Sequence, residues 1–140
     1  MKMKENGILW WILAIAGCGM IFYATSSPGF TGSSTSSLLQ SILAVFGTND
    51  IVLVIADLLN FILRKLGHIV AFGVLAVLFC LALNKSKRPF LYAWIITTLY
   101  AFFDEFHQSL VPNRTSSIMD VGLDSLGAVI ALVLLRKYKK

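Results

Sequence analysis

Charged residues are scarce in this chain, and their scarcity is the first guide to its class. Lysine, arginine, aspartate and glutamate make up 14% of the 140 residues, whereas about a quarter is usual for a soluble domain. Hydrophobic residues make up 57% and lie in long blocks rather than in amphipathic patterns. A helix needs roughly 20 apolar residues to cross a bilayer. The composition therefore argues against a water-soluble domain and predicts one compact all-α membrane domain over residues 1–140.

Cysteine is almost absent as well. Cys18 and Cys80 both fall inside apolar blocks, and the chain has no Cys-x-x-Cys motif and no His/Cys cluster. Such cysteines usually act as small apolar fillers, so the sequence predicts no disulfide and no cofactor bound through cysteine. Residues 15–18 resemble a bacterial lipobox, which leaves a cleaved lipoprotein signal as an alternative. We prefer an uncleaved first helix, because the apolar run continues past Cys18 as far as Tyr23.

Acidic residues are outnumbered by basic ones, which gives a net charge of +5. A basic excess can indicate nucleic-acid binding, but here the lysines and arginines flank the apolar blocks. That placement is typical of membrane orientation signals. The predicted partner is therefore the lipid bilayer and not a nucleic acid.

The apolar blocks predict four transmembrane helices, at about residues 8–24, 67–83, 90–106 and 118–135. Residues 25–37 are rich in serine, threonine and glycine and predict a loop. Residues 38–63 hold two apolar runs divided at residues 47–50. We interpret them as an interfacial or re-entrant helical segment, in which Asn49 or Asp50 caps the second run. A segment that leads straight into the next span is the alternative.

The distribution of basic residues predicts the orientation of these spans. With a cytoplasmic N-terminus, nine of the 12 lysines and arginines lie on the cytoplasmic side, and only Arg64, Lys65 and Arg114 lie outside. A fifth span within residues 38–63 would move the basic turn at 85–88 and the basic C-terminus outside, against the positive-inside rule. The sequence thus predicts four spans with both termini in the cytoplasm.

Polar residues gather at the helix ends that this topology assigns to the outer side. They form short clusters, namely Lys65 with His68, Asp104 and Glu105 with Gln108, and Asp120 with Asp124. Residues three or four apart share a helix face, so we predict that these clusters converge on one pocket. Inserting a charged side chain into the bilayer costs about 2.5–3.5 kcal/mol, and ionisable residues within a membrane span usually mark a functional site. A network of salt bridges that only locks the helices together is the alternative.

Two sets of roles follow from these residue types. In a binding site, the cations would hold phosphate or carboxylate groups, and the predicted ligand-binding residues are Arg64, Lys65, Gln108, Arg114, Asp120 and Asp124. In an enzyme, Glu105 or Asp104 would act as general base and His68 as acid or base. The carboxylates could also hold a divalent cation through oxygen ligands, although no specific metal ligands are assigned.

Three motifs, in this order and spacing, resemble the VanZ-like family of bacterial integral membrane proteins. They are Lys65-x-x-His68-x-x-x-Phe72, Asp104-Glu105-x-x-Gln108-x-x-x-Pro112-x-Arg114 and Asp120-x-x-x-Asp124-x-x-Gly127. The resemblance covers about residues 64–135. It implies a cell-envelope protein of the bacterial cytoplasmic membrane, in a family linked to low-level resistance to the lipoglycopeptide teicoplanin. It implies no particular reaction.

Three functions are compatible with these observations. The first is binding of an anionic or amphiphilic, lipid-linked or glycopeptide-type ligand in an outward-facing pocket. The second is a membrane-embedded hydrolase or transferase acting on lipid head groups, without a serine or cysteine nucleophile motif. The third is a small transporter. A transporter needs ionisable groups through the whole bilayer, whereas this sequence gathers them near one side, which favours the first two.

Overall fold

The computed structural model describes residues 7–27, 29, 31–47, 49–112, 114 and 116–138. Its elements are α1 (Gly7–Ser26), α2 (Gly32–Leu43) with a 3₁₀ turn at Ala44–Phe46, α3 (Asp50–Ala82), α4 (Pro89–Ser109) and α5 (Ile118–Tyr138). No strand occurs among the described residues. The predicted all-α class is confirmed.

Helices α1 and α4 run side by side in the same direction. The Tyr100 hydroxyl of α4 donates to the Cys18 carbonyl in the middle of α1, at 2.6 Å. Further along both helices, the Thr25 hydroxyl donates to Asp104 Oδ1 at 2.7 Å. These two bonds bring the C-terminal end of α1 to the polar end of α4.

Helices α3 and α5 also run parallel to each other, and they approach closely because both carry glycine at the contact. A Cβ atom on Gly127 would collide with the Ile69 carbonyl oxygen and would lie 3.0 Å from the Ile69 Cα. A Cβ atom on Gly73 would lie 3.2 Å from the Gly127 carbonyl oxygen. Small residues of this kind let the backbones of membrane helices approach.

A buried core joins α1, α3, α4 and α5. Its members are mostly small or aromatic side chains, including Ala14, Phe72, Leu75, Ala76, Phe79, Ala93, Ala101 and Ala128. Around this core, large apolar side chains such as Ile12, Val74, Leu99 and Ile130 are exposed on the outside of the helices. An outward apolar surface of this kind suits contact with lipid.

Among the described residues, three helices are long and apolar enough to cross a membrane, namely α1, α3 and α5. Helix α4, which corresponds to the third predicted span, has 21 residues but does not belong to this group. It carries the chain back between the parallel helices α3 and α5, which is the course that a fourth span requires. The count of four spans, and the orientation of the termini, stay predictions. The lysines at positions 2, 4, 139 and 140, which support that orientation, lie outside the described residues.

The predicted loop at residues 25–37 is wrong in its second half, because α2 already begins at Gly32. Thr31 is its N-cap, and the Thr31 side chain accepts a hydrogen bond from the Ser34 backbone N–H. The serines and threonines of α2 form a polar face toward α3, where Thr35 donates to Asn60 Oδ1 at 2.6 Å. Tertiary hydrogen bonds thus stabilise a helix that the local composition disfavours.

The second run of the segment predicted at residues 38–63 leads straight into the span predicted from residue 67, which is the continuous alternative. Helix α3 is continuous over 33 residues, which is about 50 Å at 1.5 Å per residue. This exceeds the hydrocarbon core of a bilayer, about 30 Å. Asn49 caps α3 as predicted, since its side chain accepts from the Val52 N–H at 3.1 Å.

Candidate functional site

A cavity of about 140 Å³ lies between α3, α4 and α5 at the polar end of the bundle. It is lined by Asn60, Phe61, Arg64, Lys65, His68, Glu105, Gln108, Asp120, Leu123 and Asp124. Seven of the nine residues predicted for the site are in this set; Asp104 and Arg114 are not. The structure therefore brings most of the predicted residues together, while their roles stay predictions.

Helical spacing explains why these side chains meet. On α3, Asn60, Arg64 and His68 are four residues apart, and residues four apart lie on one face of a helix. On α5, Asp120 and Asp124 have the same spacing. The close contact of Gly127 with α3 then holds the two polar faces against each other.

On the α3–α5 side of the cavity, two acidic residues face two basic ones. Lys65 forms an ion pair with Asp120, and their side chains are 29% and 17% exposed. One turn deeper, His68 Nδ1 lies 3.6 Å from Asp124 Oδ2, and Asp124 is 1% exposed. Neither carboxylate oxygen of Asp124 accepts a hydrogen bond from any described residue. A buried carboxylate without donors is unusual, because desolvation of the charge is then not compensated.

On the α4 side, the carboxylates already have donors. Asp104 is buried and accepts hydrogen bonds from Thr25 Oγ1 at 2.7 Å and from Gln108 Nε2 at 2.8 Å. Glu105 Oε2 accepts from the Ser117 backbone N–H at 2.9 Å. Of the two candidates for a general base, only Glu105 lines the cavity. The contacts of Asp104 suit a residue that joins α1 to α4.

Arg114 lies beside the cavity and contacts the end of α1. Its Nη2 donates to the Ala24 carbonyl at 2.8 Å and to the Ser27 carbonyl at 3.4 Å. Burial lowers the pKa of the Arg114 guanidinium, and the charge of Arg64 acts in the same direction. A cation at a helix C-terminus satisfies the last carbonyls and opposes the helix dipole. The structure therefore gives Arg114, which lies in the loop between α4 and α5 and was predicted to bind a ligand, contacts within the protein.

Arg64 is a cation that lines the cavity and lies against the N-terminus of α2. Its guanidinium abuts Gly32, the first residue of α2, so closely that a Cβ atom there would collide with it. Among the described residues, no carboxylate forms an ion pair with Arg64. The N-terminus of a helix carries partial positive charge, so two positive groups meet at this edge of the cavity.

Comparison with known proteins identifies the family. Residues 10–138 match the family described as VanZ/LLP1. The chain belongs to the VanZ/LLP1 family. The match starts in α1 and so extends well beyond residues 64–135, on which the sequence resemblance rests. No curated protein and no solved structure matches the chain.

Membership in the VanZ/LLP1 family, together with the apolar helices, makes this a membrane protein. Sequence reasoning missed three residues that line its cavity, namely Asn60, Phe61 and Leu123. The four-residue spacing of Asn60 from Arg64 is the signal that could have found Asn60, which lies in the segment predicted to be interfacial or re-entrant. Among the described residues, no group of three or more His, Cys, Asp or Glu side chains could hold a metal ion.

Proposed function

We propose that this protein binds the polar end of an anionic or amphiphilic, lipid-linked molecule in the cavity at the outer side of the bacterial cytoplasmic membrane. The position of Arg64 is the main support. Its guanidinium lines the cavity next to Lys65, abuts the N-terminus of α2, and has no carboxylate partner among the described residues. A phosphate or carboxylate group would neutralise it through paired N–H donors.

The size of the cavity limits what can enter it. Its volume of about 140 Å³ corresponds to roughly five water molecules at about 30 Å³ each. Pockets for drug-sized ligands are larger, about 300–1,000 Å³. A head group or one end of a molecule fits, whereas the body of a glycopeptide does not. Tolerance to teicoplanin, which the family suggests, would then act through a lipid-linked envelope component or through one end of the antibiotic.

Binding can be tested on the protein in nanodiscs with ethyl phosphate as a soluble head-group probe. We expect Arg64→Lys to weaken binding at least tenfold, because a point charge does not reproduce the planar fork of a guanidinium. Arg136→Lys is the matched control, since Arg136 is exposed in the last turn of α5. Equal affinity in wild type and Arg64→Lys would contradict the proposal. In cells, Arg64→Lys should lower lipoglycopeptide tolerance while the protein still accumulates in the membrane.

A membrane enzyme that acts on lipid head groups is the second candidate, and the pair of His68 and Asp124 favours it. A histidine beside a buried carboxylate is a common arrangement of a general base. Here the imidazole lines the cavity and is 25% exposed, and Asp124 lies behind it at 3.6 Å.

Release of head groups from phospholipid vesicles, followed by phosphorus NMR, tests this activity. His68→Gln should abolish release while ethyl phosphate still binds. His107→Gln is the control, because His107 contacts Phe22 and does not line the cavity. Release that is the same in wild type and His68→Gln would rule out this role.

A further inference from the structure

The buried end of the cavity carries a hydrogen-bond acceptor that the described part of the chain leaves unsatisfied. Asp124 is 1% exposed, lines the cavity, and accepts no hydrogen bond from any described residue at either oxygen. Buried polar groups in folded proteins almost always have partners. The carboxylate therefore needs a donor from whatever occupies the cavity.

His68 does not supply that donor. Its Nδ1 is 3.6 Å from the nearer Asp124 oxygen, beyond the usual range of about 2.7–3.2 Å for an N–H···O bond. Even if the imidazole moved closer, Nδ1 carries one hydrogen at most, and the second oxygen of Asp124 would remain without a donor. Water can fill the cavity when it is empty, but a ligand that displaces water must replace its hydrogen bonds to bind well.

The charges around the cavity do not suit a purely anionic ligand. Two permanent cations, Arg64 and Lys65, face three carboxylates, those of Glu105, Asp120 and Asp124. Lys65 is paired with Asp120. In the described part of the chain, no permanent cation of the cavity pairs with the carboxylates of Glu105 and Asp124, and the nearest basic group to Asp124 is the imidazole of His68 at 3.6 Å. Arg64 likewise has no carboxylate partner among the described residues.

These charges are also separated along the cavity. Arg64 and His68 are four residues apart on α3, which is about 6 Å along the helix axis, and Asp124 is next to His68. Glu105 already accepts a hydrogen bond from the Ser117 backbone. The cavity thus offers a cation at one end and an acceptor-only carboxylate at the other.

We propose that the head group bound in this cavity is zwitterionic, with an anionic group at Arg64 and a primary ammonium at Asp124, as in phosphoethanolamine. This inference rests on the proposed binding function and names the chemical class of its ligand. A primary ammonium has three N–H donors and so can serve both oxygens of Asp124. A quaternary ammonium such as choline has no N–H donor and leaves both unsatisfied.

The test compares three soluble probes by calorimetry on the full-length protein in nanodiscs made from a lipid without amines. The probes are O-phosphoethanolamine, ethyl phosphate and phosphocholine. We expect O-phosphoethanolamine to bind at least tenfold more tightly than either of the other two. Asp124→Asn should lower the affinity for O-phosphoethanolamine to that for ethyl phosphate. The substitution removes the negative charge, and the new amide N–H donors cannot accept from an ammonium. Asp50→Asn should keep the preference, since Asp50 is exposed in the first turn of α3.

The outcomes separate this inference from the function on which it rests. If ethyl phosphate binds as tightly as O-phosphoethanolamine, the ammonium subsite is wrong and the anion-binding function stands. If phosphocholine equals O-phosphoethanolamine, Asp124 does not act as an N–H acceptor and the inference fails. If no probe binds, the proposed function itself fails. If the Asp124→Asn variant does not accumulate, the affinities of the wild-type protein for the three probes still test the ammonium subsite.

Discussion

Replacing Gly127 by alanine should destabilise the bundle at the contact that positions the site. The new methyl group would collide with the carbonyl oxygen of Ile69 and lie 3.0 Å from its Cα. Both are backbone atoms, so no side-chain rotation can relieve the contact. Overpacking of this kind costs about 1–3 kcal/mol, and α3 and α5 must separate to accommodate it.

Gly122→Ala is the matched control in the same helix. Among the described residues, no atom outside the local backbone of α5 lies within 4 Å of a Cβ atom at Gly122, so the substitution adds helix propensity without a clash. That gain is up to about 1 kcal/mol for glycine to alanine, and Gly127→Ala receives the same gain. The difference in stability between the two variants therefore isolates the clash, at about 1–3 kcal/mol.

Thermal unfolding of both variants in the same detergent measures this difference. In a small domain, 1 kcal/mol shifts Tm by roughly 4 °C, so Gly127→Ala should melt about 4–12 °C below Gly122→Ala. O-phosphoethanolamine should also bind more weakly to Gly127→Ala, because Asp124 on α5 moves away from Arg64 on α3 when the helices separate. If the two variants melt at the same temperature, the close approach of α3 and α5 does not constrain the protein as described.

Three further predictions concern orientation and individual side chains. In a variant without its two native cysteines, an impermeant thiol reagent added to intact cells should label Ser116→Cys but not Lys87→Cys; the reverse pattern would refute the orientation. Arg114→Lys should lower the free energy of unfolding by about 1 kcal/mol, because the bonds to the α1 carbonyls weaken; unchanged thermal stability would argue against this anchor. Glu105→Gln keeps the shape and the bond from Ser117, so it should fold normally and lose envelope tolerance; a full phenotype would exclude a role for this charge.

The family, the helical class and most of the cavity lining could be predicted from the sequence. A long apolar block indicates a helix, because in lipid its backbone N–H and C=O groups must form hydrogen bonds within the same segment. The spacing of Lys65 and His68, and of Asp120 and Asp124, indicates shared faces because the period of a helix is fixed. The apolar blocks and the residue spacing are local properties of the sequence, so they can be predicted without knowing which helices pack together.

The errors concern features that depend on contacts between distant segments. Helix α2 begins within a stretch that is locally unfavourable, since its polar face is bonded to Asn60 in α3. Arg114 does lie in the loop between α4 and α5, but no local signal shows that the end of α1 lies beside it. The contact of Asp104 with α1 could not be predicted for the same reason, since its donor Thr25 is 79 residues away.

The sequence by itself determined that this is a helical membrane protein of a recognisable family, with polar residues at a few helix ends. The tertiary structure decided which of those residues line the cavity and which form contacts between helices. It also showed that Asp124 is buried without a hydrogen-bond donor among the residues that the structure describes. The physical reason is that periodicity fixes only the direction of a side chain from its own helix, whereas burial and partners depend on how the helices pack.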